Sequence, residues 1–169
     1  GLENLGMDNV TIRKKVAEMS EYFGITGWYD REVSKLSGGQ KQILNLASVM
    51  VMQPGILLLD EPTANLDPLA AIRFLDVVKR INQELGVTVV MVEHNLEHIY
   101  ADADRIIAID KGRVAANSSP KKAAADIIAA GSFLIEGLPV ASRLYSGYNK
   151  KKLVCAILCR YLPIKQHYD

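Results

Sequence analysis

A run of four consecutive aliphatic residues at 56–59 constrains the fold of this chain more than any other feature. The run is closed by an acidic pair, Asp60 and Glu61. A short, continuous apolar run between turn residues is typical of a strand buried on both faces in a parallel sheet. A second apolar run at 87–92 predicts another such strand.

Apolar residues recur at helical spacing in the segments before, between and after these strands. Helices are predicted over residues 8–22, 37–53, 68–85, 95–101 and 121–130. A further strand is predicted at 105–109, followed by a hairpin turn at Lys111 and Gly112. Strands that alternate with helices predict an α/β fold whose parallel strands are joined by right-handed crossovers.

The composition narrows the class of protein. The 169 residues contain 49% hydrophobic residues and carry a net charge of +1, which suits one folded domain and gives no basis for nucleic-acid binding. No stretch reaches the roughly 18–20 apolar residues that cross a bilayer. The opening sequence lacks a methionine and a signal peptide, so we expect it to begin inside a longer protein.

The last 40 or so residues of the chain are the hardest to interpret. Three lysines at 150–152 precede an apolar run at 153–158. This pattern is compatible with contact to anionic lipid. A solvated tail is the favoured prediction, because one amphipathic patch binds membranes weakly.

Acidic side chains are predicted at the ends of two neighbouring strands. Ligands of open α/β sheets bind beyond the carboxyl ends of the strands, where Asp60, Glu61 and His94 should arrive together. One carboxylate such as Asp60 suffices for Mg²⁺, which also keeps water and phosphate oxygens. Glu61 is placed to polarise an attacking water, and His94 to hydrogen-bond a terminal phosphate.

The start of the helix predicted at 37–53 offers a second candidate site. Ser37 supplies a hydroxyl, and Gly38 and Gly39 permit a close backbone approach. Helix-start amides attract anions. The alternative is an ordinary capped helix, which these three residues taken alone favour.

Taken together, these segments resemble the ABC ATPase family. Residues 36–40 resemble its signature motif, 56–62 its Walker B motif, 64–67 its D-loop and His94 its switch histidine. The resemblance covers about residues 1–120. Segments 40–42, 52–54 and 93–97 are similar to those of energy-coupling-factor importer ATPases.

The resemblance implies a role for each matching residue. Asp60 would hold Mg²⁺, Glu61 would activate water and His94 would contact the γ-phosphate of ATP. The signature motif and the D-loop would contact the nucleotide of a second ATPase domain. The residues concerned are Leu36, Ser37, Gly38, Gly39, Gln40 and Asp67.

The resemblance also implies partners and a domain layout. The partners would be a second ABC ATPase domain, homologous or identical, a transmembrane coupling protein and a substrate-binding membrane subunit. The chain would lie at the cytoplasmic side of the cell membrane and would bind no nucleic acid. Residues 1–35 would be the remnant of a helical subdomain, 36–120 the ATPase core and 121–169 an extension.

The family's phosphate-binding loop, Gly-x-x-x-x-Gly-Lys-Ser/Thr, does not occur in these 169 residues. We expect it upstream of Gly1, and we expect the isolated chain to be inactive as an ATPase. Two alternatives stay open: a soluble ABC ATPase of DNA repair or ribosomes, and a non-catalytic partner of an active ATPase.

Overall fold

The computed structural model describes residues 1–93, 96–129, 138–139 and 153–158, which form four α-helices and five strands. The helices are α1 (Asn9–Tyr22), α2 (Gly38–Met50), α3 (Pro68–Leu85) and α4 (Pro120–Ala129). The strands are β1 (Ile56–Asp60), β2 (Thr88–Val92), β3 (Arg105–Asp110), β4 (Arg113–Ser118) and β5 (Leu153–Leu158). The described residues divide into two compact units, 1–57 with 62–87, and 58–61 with the residues from 88 onward.

Local capping sets the ends of the helices in the first unit. The Asp8 carboxylate accepts hydrogen bonds from the amides of Val10 and Thr11, at 2.9 and 3.0 Å, and so begins α1. Pro68 occupies the first turn of α3, and Gly86 ends that helix in a left-handed conformation with φ 68°. These helices were predicted from the sequence, and their limits differ from the prediction by a few residues at most.

The strands form one sheet in the order β1-β2-β5-β3-β4. β5 runs parallel to both β2 and β3, whereas β3 and β4 are antiparallel. The turn between β3 and β4 has Lys111 at φ 48° and Gly112 at φ 75°. Two consecutive positive φ values are typical of a tight hairpin turn, which confirms the predicted turn.

Residues 153–158 contradict the prediction of a solvated tail, since they form β5 in the middle of the sheet. Val89 pairs with Leu153 on one side, and Arg105 pairs with Val154 on the other. The backbone groups of β5 thereby satisfy the facing edges of β2 and β3. Such pairing between distant segments leaves no local pattern in a sequence. The three lysines at 150–152 lie outside the described residues.

The prediction that β1 is buried on both faces is wrong. Leu57 is only 4% exposed, but Ile56 and Leu58 are 63% and 73% exposed. Side chains alternate along a strand, so Ile56 and Leu58 share one face and Leu57 occupies the other. β1 is the first strand in the sheet order, and only its Leu57 face is covered.

The helix predicted at 95–101 is replaced by hydrogen-bonded turns over the described part, residues 96–103. The Leu96 carbonyl accepts from the amides of both Ile99 and Tyr100, at 3.1 and 2.9 Å. All three of these side chains are buried. Their spacing fits one helical turn, but a short turn buries them equally well, and Asn95 lies outside the described residues.

In the first unit, α2 and α3 contribute buried side chains to an apolar core. Met50 of α2 and Phe74, Val78 and Ile81 of α3 are each at most 2% exposed. Among the described residues, no helix combines the length and apolarity needed to cross a membrane.

A polar cluster of Tyr22, Arg80 and Glu84 joins α1 to α3. The Tyr22 hydroxyl donates to Glu84 Oε2 at 2.9 Å, and Arg80 Nε lies 3.3 Å from Glu84 Oε1. The Arg80 guanidinium lies 4.8 Å from the centre of the Tyr22 ring. Partial burial raises the pKa of Tyr22 to about 12, and the hydrogen bond from Tyr22 lowers the pKa of Glu84.

This cluster predicts part of the acid sensitivity of the chain. The Glu84 pKa is lower in the folded state than in the unfolded state. The ionised carboxylate therefore adds its full contribution to the free energy of unfolding above its ordinary pKa, and this contribution is lost as the pH falls through the folded value. We expect Tyr22→Phe to reduce the fall in melting temperature between about pH 6 and pH 3. Circular-dichroism melting curves at each pH measure the melting temperature, and Tyr29→Phe at an exposed position is the control. Equal slopes in Tyr22→Phe and the wild type would contradict the expectation.

Candidate functional site

Ser37 and Gln40 form a reciprocal capping box at the start of α2. Ser37 Oγ accepts from the Gln40 amide at 3.2 Å, and Gln40 Oε1 accepts from the Ser37 amide at 2.9 Å. The predicted capping role of Ser37 is therefore confirmed. The partner role of Gln40 was missed, although a serine followed three residues later by glutamine is its sequence signal.

The capping box determines which groups remain for a ligand. It occupies the amides of Ser37 and Gln40, so within the first turn of α2 the amides of Gly38 and Gly39 are left to face an anion. Ser37 Oγ acts as an acceptor in the box and keeps its hydrogen for donation. Ser37 is exposed, whereas Leu36 is 6% exposed, and the contact of Leu36 with a nucleotide stays a prediction.

Gly39 also allows close packing within the protein, whereas the space at Gly38 would accept a Cβ atom at ordinary contact distance. A Cβ atom added to Gly39 would lie 3.1 Å from the Ala70 Cβ of α3. One added to Gly38 would lie 3.8 Å from the Asn65 carbonyl oxygen. The start of α2 therefore lies directly against α3 and the segment that precedes it.

Asp67 begins α3, because its Oδ1 accepts from the amides of Leu69 and Ala70 at 3.1 and 3.0 Å. A cavity of about 360 Å³ opens beside this cap. Its polar lining includes Ser37, Gln40, Asp67 and Arg73, and its aromatic lining includes Trp28 and Phe74. The first unit thus brings the signature residues and the D-loop aspartate to one surface.

Gln42 of α2 makes a polar contact that sequence reasoning missed. Its Nε2 donates to the Pro62 carbonyl oxygen at 3.2 Å in a half-buried hydrogen bond. The two residues are 20 positions apart, so no local pattern could have indicated the contact.

The second unit contains the predicted acidic pair at the end of β1. Asp60 is the last residue of the strand and is exposed to solvent. The Glu61 amide donates to the Val92 carbonyl at 2.9 Å, and Glu61 has a φ of 44°. A positive φ is uncommon for a residue other than glycine, and such conformations cluster at functional sites. Glu61 is therefore held at the edge of the sheet in a strained conformation.

The donors at this edge fit Mg²⁺. No three metal-binding side chains converge anywhere in the described part of the chain, so a cage made only of protein groups is not present there. The exposed Asp60 carboxylate suits a cation that takes one or two carboxylates and completes its shell with water and phosphate oxygens. Glu93 follows β2 and is 4% exposed. His94 lies outside the described residues, and its role stays a prediction.

Comparison with known proteins identifies the family. The family model described as ABC transporter matches residues 2–64. A putative ABC transporter ATP-binding protein of Bacillus cereus is 44% identical over 156 residues, which are 90% of this chain and 27% of that protein. This chain belongs to the ABC transporter ATP-binding domain family. The α/β ABC ATPase fold predicted from the sequence is confirmed.

Two further members of the ABC family are similar to this chain. The energy-coupling factor transporter ATP-binding protein EcfA1 of Caldanaerobacter subterraneus is 39% identical over 72% of this chain and 44% of its own length. The structure of CbiO1 from Clostridium perfringens, part of the ABC transporter complex CbiONQ, superposes with a TM-score of 0.65 at 30% identity, covering 82% of this chain and 52% of CbiO1. The chain spans about a quarter of the length of its Bacillus relatives.

Proposed function

We propose that this chain is part of the ATP-binding subunit of an ABC-type importer that couples ATP hydrolysis to uptake. Its partners are a second ABC ATPase domain, a transmembrane coupling protein and a substrate-binding membrane subunit. The cargo is a vitamin, a vitamin precursor or a metal ion. Residues 1–35 belong to the helical subdomain and 36–120 to the ATPase core. Residues 121–169 are an extension that contributes β5 to the sheet of this core.

The observation that carries this proposal is the exposed start of α2. The Ser37 hydroxyl and the amides of Gly38 and Gly39 are left to donate, and helix-start donors favour an anion. In the proposed dimer they contact the γ-phosphate of ATP bound by the second ATPase domain. Asp67 caps α3 beside them and contacts the same domain.

Asp60 and Glu61 at the end of β1, together with His94, act on the ATP bound by the chain's own domain. Glu61 orients and polarises the attacking water, and His94 donates to the γ-phosphate. Asp60 holds Mg²⁺, which supplies charge neutralisation on the phosphates when it is bound. Most of the rate enhancement in such sites comes from positioning and electrostatic stabilisation. The phosphate-binding loop is absent from this sequence, so the isolated chain should not turn over ATP.

The similarity to EcfA1 and CbiO1 supports an importer over an ABC ATPase of DNA repair. The almost neutral net charge gives no support to a nucleic-acid partner. The proposed location is the cytoplasmic face of the cell membrane, where the ATPase domains contact the coupling protein.

A complementation assay tests the proposal. An intact ABC ATPase domain that has its own phosphate-binding loop is inactivated by substitution of its signature serine. We expect the 169-residue chain to restore phosphate release by this partner, because it supplies Ser37 and Gly39 to the partner's nucleotide. The chain alone should release phosphate no faster than buffer.

Two variants show whether the rescue depends on the start of α2 or only on the presence of the added chain. Ser37→Arg blocks the exposed helix start and should remove the rescue, whereas Lys14→Ala on the exposed surface of α1 should leave it intact. No rescue by the wild-type chain, despite measured association with the partner, would refute the proposed function. Brisk hydrolysis by the chain alone would refute the expectation that it needs an external phosphate-binding loop.

A further inference from the structure

A hydrogen bond outside the recognised motifs holds α2 to the segment between β1 and α3, residues 62–67, here called the connecting loop. Gln42 Nε2 donates to the Pro62 carbonyl at 3.2 Å. Pro62 is buried and Gln42 half-buried. Proline has no backbone N–H, so the carbonyl is its only backbone hydrogen-bonding group, and Gln42 satisfies it.

The start of α2 also lies close to the second half of the same loop. The Gly38 position lies close to Asn65, since an added Cβ would be 3.8 Å from the Asn65 carbonyl oxygen. Within the loop, the Leu66 amide donates to the Thr63 carbonyl at 3.0 Å. α2 is therefore bonded to the start of the connecting loop and lies close to its second half, and all of these residues lie in the first unit.

We propose that Gln42 is a positioning residue for ATP hydrolysis, an inference that rests on the proposed function. Gln42 makes no contact with nucleotide and acts through Pro62. By fixing the connecting loop against α2, it sets Asp67 at the end of the loop and Ser37 at the start of α2 in one geometry.

Hydrogen exchange on the wild-type 169-residue chain and its variants tests the contact itself. Gln42→Leu removes the side-chain hydrogen-bond donor and changes the size of the side chain little. Amide exchange in residues 63–70 should become about tenfold faster, as expected for loss of one part-buried hydrogen bond. Amides at the start of α2 should be unchanged, because the Ser37 capping box does not use Gln42. Gln42→Lys keeps a donor that reaches the Pro62 carbonyl and should exchange almost as the wild type does.

The complementation assay tests the consequence for catalysis. Gln42→Leu should lower the maximal rate about tenfold and leave the half-saturating ATP concentration unchanged, because a misplaced loop weakens the transition state and not ATP binding. Gln42→Lys should recover most of that rate. Lys41→Ala, an exposed neighbour on α2, is the matched control and should behave as the wild type.

Each outcome decides one claim. Unchanged loop exchange in Gln42→Leu overturns the inference at the level of the contact. The positioning role is overturned if Gln42→Leu speeds exchange of the loop amides but leaves the maximal rate of ATP hydrolysis unchanged. It is also overturned if the half-saturating ATP concentration rises instead of the rate falling. If the wild-type chain associates with the partner but does not restore turnover, the proposed function is refuted and the catalytic role of Gln42 falls with it. The exchange result still decides the contact.

Discussion

Glu61→Gln should almost abolish ATP turnover while ATP remains bound. The substitution is made in a fusion that supplies a Gly-x-x-x-x-Gly-Lys-Ser/Thr loop ahead of Gly1, so that a complete site can form. Glutamine keeps the shape of the side chain but cannot accept a proton from water. Loss of a general base costs about 10²–10⁴-fold in rate. Phosphate release measures the rate, and retention of labelled nucleotide measures binding.

The strained backbone at Glu61 supports this expectation. Its φ of 44° and the hydrogen bond from its amide to Val92 fix the residue at the carboxyl edge of the sheet. Glu18→Gln on the exposed surface of α1 is the matched control, because it makes the same change of charge far in sequence from the Walker B motif. It should leave the rate of ATP turnover unchanged. Turnover of Glu61→Gln within threefold of the unmodified fusion, or about 0.7 kcal/mol of barrier, would remove Glu61 from the role of general base.

Gly39→Val should destabilise the first unit by about 1–3 kcal/mol, the usual cost of overpacking. Even one Cβ at this position would lie 3.1 Å from Ala70 Cβ, and both atoms belong to helices that cannot yield as a flexible side chain can. The strain should also move the start of α2, so the rescue in the complementation assay should fall with stability. Urea unfolding measures the free-energy change.

A double-mutant cycle separates the Gly39–Ala70 contact from general helix effects. Ala70→Gly removes the opposing Cβ, so Gly39→Val should cost less in that background, by about 1 kcal/mol. Gly27→Val is the control, because nothing lies within 4 Å of a Cβ added there. Equal costs of Gly39→Val in the two backgrounds would show that the close approach to Ala70 is not what requires glycine at 39.

Features encoded by neighbouring residues were predictable from the sequence. The Ser37 cap lies next to the helix it begins, and the hairpin turn depends on Lys111 and Gly112 alone. The family followed from motifs of the same local kind. In each case the residues that cause the structure lie within a few positions of one another.

Features that depend on distant partners were not predictable. The sequence marks 153–158 only as apolar, and its pairing with β2 and β3 comes from backbone groups that every residue carries. Burial of the aliphatic run at 56–59 depends on which face other elements cover, so Leu58 was wrongly predicted to be buried. The bond from Gln42 to Pro62 joins positions 20 apart and follows no periodicity.

The central place of β5 has a consequence for biosynthesis. β2 and β3 emerge from the ribosome well before β5, yet neither pairs with the other until β5 lies between them. Among the described strands, the nascent sheet therefore holds two strands whose inner edges are unpaired during translation, and unpaired edges recruit foreign strands. Chaperone dependence should peak in that interval and end when residues 153–158 leave the exit tunnel.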